Sequence, residues 1–286
     1  MSRMMADVKA YFDYVLPLVR EAGQVLLSTQ SQKIEFEAKT PWDLVTEYDE
    51  LVEKNLVAKI KAKYPCHKFI GEEHSSKIKG KPTLSDDPTW IIDPIDGTTN
   101  FTRKIPLVAI SVGLTIKKQQ LLGIVCNPFS NEVYTAIKGE GAYLNGAKIM
   151  TSGVEDIRRS VFCYELSLAS TNKYLHDLYM TRVKHLICEV MGIRALGAPV
   201  LSLCYVASGK LDAYQCDGLY PWDAAAGTLI VREAGGYVTD SSGKEFDLME
   251  PNFLAASTKK LSDKFMEIER RADEEIRTIP ATEKVH

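Results

Sequence analysis

Several features are scarce in this 286-residue chain, and each scarcity removes a class of function. There is no basic excess: the formal net charge is −3, which argues against a nucleic-acid binder. There is no long apolar run. Stretches such as LVAISVGLTI are about half of what crossing a bilayer needs, so no membrane partner is expected. The N-terminus carries Asp7, Asp13 and Glu21 inside its apolar pattern and does not read as a signal peptide. The six cysteines (66, 126, 163, 188, 204 and 216) form no CxxC pair. They read as reduced, mostly buried thiols of a cytoplasmic protein, and the lack of a Cys/His cluster argues against zinc. No Walker loop, kinase signature or G-x-S-x-G is present, so neither an ATP cradle nor a serine hydrolase is indicated. No internal repeat, low-complexity segment or linker interrupts the chain. A glycosylation sequon at Asn100-Phe101-Thr102 is accidental in such a setting.

What is present is the composition of an ordinary globular protein, 45% hydrophobic and 26% charged. The length fits one large domain or two small ones. Val8, Tyr11, Phe12, Val15, Val19, Ala22 and Leu26 recur at helical steps, with Pro17 expected to kink or weaken the middle. Tyr48, Leu51, Val52, Leu56 and Ile60 make a second helical stripe. The polar stretch from Lys77 to Pro88 predicts an exposed loop. From Trp90, short runs rich in β-branched residues (WIID, LVAISVGLTI, LLGIVC, EVYTAI) predict an antiparallel meander, ending in a hairpin at Asn145-Gly146. Strands at VFCYEL, ICEVM, KLDAY, GGYVTD and FLAAS then alternate with helices from Lys173, Pro199, Asp223 and about Leu261. Meander followed by alternation predicts layered sheets and helices.

The chemistry concentrates in WIIDPIDGTTNF, residues 90–101. Three apolar residues end a buried strand and place Asp93 at its tip. Pro94 stiffens the exit and Asp96 follows. Gly97 permits close backbone approach, and Thr98-Thr99 could open a helix or turn with free N–H groups. Carboxylates suit a hard cation, and N–H groups at a helix start suit phosphate. An EF-hand is excluded, because the glycine is fifth and the twelfth residue is Lys104. Alone, the segment also reads as a plain turn. PWDAAAG sets Asp223 at a helix N-cap, which by itself needs no further explanation. With Glu72 of GEEH, the all-oxygen set Glu72, Asp93, Asp96 and Asp223 favours magnesium over zinc or copper.

GEEH, WIIDPIDGTTNF and PWDAAAG resemble the three metal-site motifs of the inositol monophosphatase family of lithium-sensitive, magnesium-dependent phosphatases. DLVTEYDE and VREAGG match in order and spacing, from Lys39 to Gly236, and the likeness covers nearly the whole chain. The resemblance implies an α/β, five-layer α-β-α-β-α sandwich of the type shared with fructose-1,6-bisphosphatase. It implies one domain over residues 1–286, with an N-terminal half to about 150 and a C-terminal half from about 151. It implies two to three Mg2+ per site. Glu72, Asp93 and the Ile95 carbonyl would bind the first, and Asp93, Asp96 and Asp223 the second. A third would lean on Glu72. Glu73 would play a supporting part. Thr98, bonded towards Asp49, would help Glu72 activate the attacking water, and the N–H groups of Gly97 and Thr98 would hold phosphate. Lys39 would fall in a mobile loop near the metals. A homodimer is also implied.

The match departs from the family pattern where the sugar is bound. A glutamate seven residues before the final aspartate is replaced by Cys216. Asp217 beside it could take over, or the sugar contact is lost. The substrate segment reads Gly197-Ala198-Pro199, without its hydroxyl. After YEL, Ser167-Leu168 has no arginine close by. The expected reaction is magnesium-dependent hydrolysis of myo-inositol 1-phosphate by metal-activated water, with no protein nucleophile. The alternatives are a relative acting on inositol polyphosphates, another sugar phosphate, fructose bisphosphate or 3′-phosphoadenosine nucleotides, or a non-catalytic metal-binding relative. The short loop between Glu73 and Trp90 favours the monophosphatase branch.

Overall fold

The computed structural model describes residues 2–40, 43–77 and 80–278. In chain order the first half holds α1 (Ser2–Leu27), β1 (Glu37–Thr40), β2 (Asp43–Val45), α2 (Glu47–Lys63), β3 (Lys68–Gly71), α3 (Glu72–Ser76), β4 (Thr89–Asp96) and α4 (Thr98–Thr102). A meander follows: β5 (Ala109–Ile116), β6 (Gln119–Asn127), β7 (Glu132–Ile137), β8 (Gly141–Leu144) and β9 (Ala147–Ile149). The second half holds β10 (Val161–Tyr164), α5 (Lys173–Leu186), β11 (Gly192–Arg194), α6 (Pro199–Ala207) and β12 (Ala213–Cys216). It closes with α7 (Pro221–Glu233), β13 (Tyr237–Thr239), β14 (Phe253–Ala256) and α8 (Lys259–Thr278).

Five layers result. Helices α1 and α2 cover one face of a seven-stranded sheet ordered β3-β4-β5-β6-β7-β8-β9. Helices α6 and α7 lie on its other face and pack beneath a five-stranded sheet ordered β11-β10-β12-β14-β13. Helices α5 and α8 cover the outer face of that second sheet. This is the expected α-β-α-β-α sandwich, and β4 to β9 form the expected antiparallel meander, with β3 added in parallel. No helix among the described residues is long and apolar enough to cross a membrane.

Helix α1 runs through Pro17 without a break, and four other sequence readings need correction. Its buried Val15 and Val19 anchor both sides of the proline, and that packing offsets the missing hydrogen bond. On α2 the buried stripe is Asp49, Val52, Glu53, Leu56 and Ile60, while Leu51 is 40% exposed. The inward face is turned from the expected one and carries two carboxylates. Strand β4 does not end at Asp93 but continues to Asp96 through an irregularity between them. That bulge accommodates Pro94, which has no N–H to give a ladder. Finally, ICEVM is not a strand. Ile187 and Met191 are exposed, and the strand is Gly192–Arg194, paired in parallel with β10 at the sheet edge. KLDAY likewise starts late, because Lys210 and Leu211 donate back to the Tyr205 carbonyl and finish α6.

Candidate active site

Three carboxylates meet between β4 and α7. Asp93, Asp96 and Asp223 each bring an oxygen to within 4.8 Å of the other two. Asp93 and Asp96 are buried and Asp223 is half-buried. No lysine, arginine or histidine among the described residues pairs with Asp93 or Asp96. Burial pushes the Asp93 carboxyl well above the usual range, and the charges of Glu72, Asp96, Asp223 and Asp49 push it further. Asp96 is raised by burial and by Asp223, against backbone donors at Leu201 and Val200. Such crowding of like charge at low exposure is unfavourable unless protons or a cation join it.

Each acid is placed by its element. In the β4 bulge, Ile95 N–H donates to Asp93 Oδ1 at 3.0 Å, which pins that side chain. Asp96 Oδ2 accepts from Leu201 N–H at 3.1 Å, so Asp96 caps α6 as well as facing the cluster. Asp223 is not the N-cap of α7. Pro221 opens the helix and Asp223 lies in its first turn, where Oδ2 accepts from Tyr220 N–H at 2.7 Å. The alanine run that follows has a use. A Cβ on Gly113 of β5 would meet Ala225 Cβ at 2.7 Å, and one on Gly123 of β6 would meet the Ala226 carbonyl at 2.8 Å. Small residues on both sides let α7 lie directly on the sheet, which brings Asp223 to Asp93.

The remaining expected residues gather around this cluster, with some changes of part. Glu72 opens α3 and is half-buried. It stands outside the closest trio, yet its charge acts on Asp93 more than any other. Glu73, given a supporting part by the resemblance, is buried. Asp49 Oδ2 accepts from Thr46 N–H at 2.7 Å, and Oδ1 lies 3.4 Å from the Thr98 hydroxyl. Thr98 has a nearer acceptor, the Ile95 carbonyl at 3.0 Å. Gly97 caps α4 with φ +86°, and a Cβ there would meet Gly197 O at 3.1 Å and Ala198 Cβ at 3.2 Å. The Gly97 and Gly197-Ala198-Pro199 segments therefore touch. Cys216, at the end of β12, is buried with its thiol pKa pushed up by burial, and the charges of Glu165, Asp217 and Asp223 reach it. Asp217 turns the opposite way, towards Arg182 at 3.7 Å, so its carboxylate is engaged elsewhere. Lys39 lies on β1, with its side chain outside the described residues.

Three residues with a part here were missed or misread. Glu165 Oε1 accepts from the N–H groups of Leu196 and Gly197, each at 2.9 Å. From the other side, the Asn100 amide donates to Leu107 O at 2.9 Å and Leu196 O at 2.8 Å, with Gly197 O at 3.3 Å. Asn100 is thus a clasp for the Leu196–Pro199 turn rather than a glycan acceptor. Glu53 accepts from the N–H groups of Glu73 and His74. The signal for Glu53 was its i,i+4 spacing from Asp49, which sets both acids on one face of α2.

Comparisons with known proteins place nearly the whole chain in one family. The profile of the inositol monophosphatase family matches residues 9–274. Inositol monophosphatase 1 of Bos taurus is 41% identical over 270 residues, 94% of this chain and 94% of that protein. The IMPase of Thermotoga maritima superposes with a TM-score of 0.82 at 31% identity, covering 93% of this chain and 99% of that one. The extragenic suppressor protein suhB of Bartonella henselae gives 0.83 at 29% identity, over 92% and 99%.

Proposed function

Because the chain belongs to the inositol monophosphatase family and is therefore a phosphoric monoester hydrolase, we propose that it hydrolyses myo-inositol 1-phosphate to inositol and phosphate with magnesium at the Glu72, Asp93, Asp96 and Asp223 cluster. The observation that carries this reading is a convergent trio of carboxylates, two of them buried, in which no lysine, arginine or histidine among the described residues pairs with Asp93 or Asp96. An all-oxygen set of that kind suits magnesium. Glu72, Asp93 and the Ile95 carbonyl would hold one ion, and Asp93, Asp96 and Asp223 a second. A third would lean on Glu72. Bound there, magnesium supplies positive charge and Lewis acidity to phosphoryl transfer.

The chain's own groups bind, orient and move the proton. Gly97 and Thr98, at the start of α4, would offer backbone N–H groups to the phosphate oxygens. Thr98 donates its proton to Ile95 O or Asp49, which leaves its lone pairs to orient water. Glu72, half-exposed beside Asp93, would take that water's proton. The water oxygen bonds to phosphorus as the bond to the inositol oxygen breaks; the departing alkoxide takes a proton from solvent water, and Glu72 returns the proton it accepted to solvent, so no net proton stays on the chain. Gly197, Ala198 and Pro199 with Cys216 and Asp223 would flank the leaving group. Homodimeric assembly, cytoplasmic residence and lithium sensitivity belong to the same proposal, resting on family resemblance.

A second reading, another sugar phosphate or a nucleotide as the ester, is favoured by one feature. The rim at Cys216 offers a protonated thiol, and Asp217 is committed to Arg182. A panel separates the two readings. Phosphate release is measured from D-myo-inositol 1-phosphate, an inositol bisphosphate, 3′-phosphoadenosine 5′-phosphate and fructose 1,6-bisphosphate, with and without Mg2+ and lithium. The inositol monophosphate should give the highest kcat/KM, with activity absent in EDTA and reduced by millimolar lithium. Preference for a bisphosphate, or turnover in EDTA, sinks the first reading.

A further inference from the structure

Glu53 faces the back of the cluster without joining it. It lies on the buried face of α2 and is 6% exposed. Its Oε2 accepts from Glu73 N–H at 2.8 Å and its Oε1 from His74 N–H at 2.9 Å. These donors belong to the first turn of α3, where no preceding helical carbonyl can satisfy them. Bonds from neutral N–H groups to a carboxylate are among the stronger hydrogen bonds a protein makes. Burial raises the Glu53 carboxyl from its ordinary value, and these two bonds draw it back down.

Gly71, the N-cap of α3, completes the contact. A Cβ added there would lie 2.5 Å from Glu53 Cδ and Oε2. The Gly71 backbone has φ −121° and ψ 153°, an extended conformation that any residue adopts. Glycine is needed at this place for room and not for conformation. Glu72 stands between Gly71 and Glu73, so one carboxylate bonds the backbone after it and packs against the backbone before it. A helix of five residues has no stability of its own, and its direction comes from what holds it.

We propose that Glu53 is a positioning residue for divalent-cation binding, holding α3 so that Glu72 addresses Asp93. The proposal rests on the reading of the acidic cluster as a magnesium site. Partners that orient ligands from behind are worth roughly 10–100-fold in metal affinity or activity. Glu53→Gln keeps the shape but sets an amide donor against a backbone donor. Gly71→Ala reaches the same contact from the other side, because its methyl displaces the Glu53 carboxylate.

The test is calorimetric titration of substrate-free protein with MgCl2, beside unfolding midpoints in EDTA and the Mg2+ concentration for half-maximal phosphate release. Each single variant should stay folded and need about tenfold more Mg2+ or beyond, by both heat and rate. The double variant should be no worse than the weaker single, because both changes break one contact. Unchanged Mg2+ affinity in the singles, or shifts that multiply in the double, overturns the role of Glu53 while leaving the metal site standing. A wild-type protein that takes up no Mg2+ overturns the proposed function and this inference together.

Discussion

Two groups of three carboxylates gather around buried members in this molecule, and they are treated in opposite ways. Between β4 and α7, Asp93, Asp96 and Asp223 converge, and no cationic side chain among the described residues pairs with the two buried ones. Between α5 and α8, Glu269, Asp217 and Asp273 surround Arg182. Its Nε and Nη2 donate to Asp273 at 2.8 and 2.9 Å, and its Nη1 lies 3.6 Å from Glu269 and 3.7 Å from Asp217. The second cluster carries its counter-charge in the chain. In the first, no such counter-charge among the described residues pairs with Asp93 or Asp96. Both sit close to the same loop, since Cys216 faces one cluster and its neighbour Asp217 the other. The contrast separates an acidic group that completes the fold from one that waits for a ligand.

The sharpest way to break this contrast is to remove one acid from the first cluster. Asp93→Asn should cut phosphate release from myo-inositol 1-phosphate by roughly 10³-fold at saturating Mg2+, since several kcal/mol of charge stabilisation are lost. In EDTA the same variant should melt no lower than wild type, because a buried like charge has been relieved. A variant with wild-type turnover, or one that is unfolded in EDTA, would refute that view of the trio.

In the second cluster the sign reverses. Arg182→Met leaves three acids around an uncharged side chain and should cost about 3–5 kcal/mol in urea unfolding. Its Mg2+ affinity should stay near wild type. A loss below about 1 kcal/mol would mean that Arg182 is not the counter-charge inferred from its distances.

The smallest expected effect is a pH dependence. Burial pushes the Glu269 carboxyl up to about 8; Arg182 opposes the rise, and Asp217 and Asp273 add to it. The unfolded value lies near 4.5, so the folded state holds the extra proton between these pH values. The stabilising contribution is fully present below about 4.5 and is lost as pH rises through 8. Glu269→Gln should therefore come close to wild type near pH 5 and exceed it near pH 9 by about 4 kcal/mol. Parallel stability curves for the two proteins from pH 5 to 9 would show that Glu269 does not titrate there. Mg2+ should raise the melting temperatures of this variant and of wild type by the same amount, as expected if the two clusters are independent.

Much of the first cluster was legible in the sequence, because its acids interrupt apolar runs at fixed spacings in WIIDPIDGTTNF and PWDAAAG. The layered fold was legible from the change of period after Trp90. The second cluster was not. Arg182 and Asp273 are 91 residues apart in the chain, and only the packing of α5 on α8 brings them together. Each looks like ordinary surface charge on a polar helix. Helix α2 failed for a different reason. Its stripe was read by counting apolar residues, which passed over Glu53 and left Asp49 a part only through the family resemblance, although both face inward. A buried acid has no signature in hydropathy until its partner is known. Strand ends were the other weak point, since the β4 bulge that admits Pro94 leaves no separate mark in the residue pattern.

One feature bears on how such a site could change over time. Asp223 reaches Asp93 because α7 rests on Gly113 and Gly123 with only alanines between. The separation of the acidic groups is thus metered by carbon atoms that are missing from uncharged positions. A single added methyl group on β5 or β6 would lift the helix and widen the trio, with every acidic residue retained. Selection for an ion of another radius has its finest adjustment there, among residues that never touch the ion.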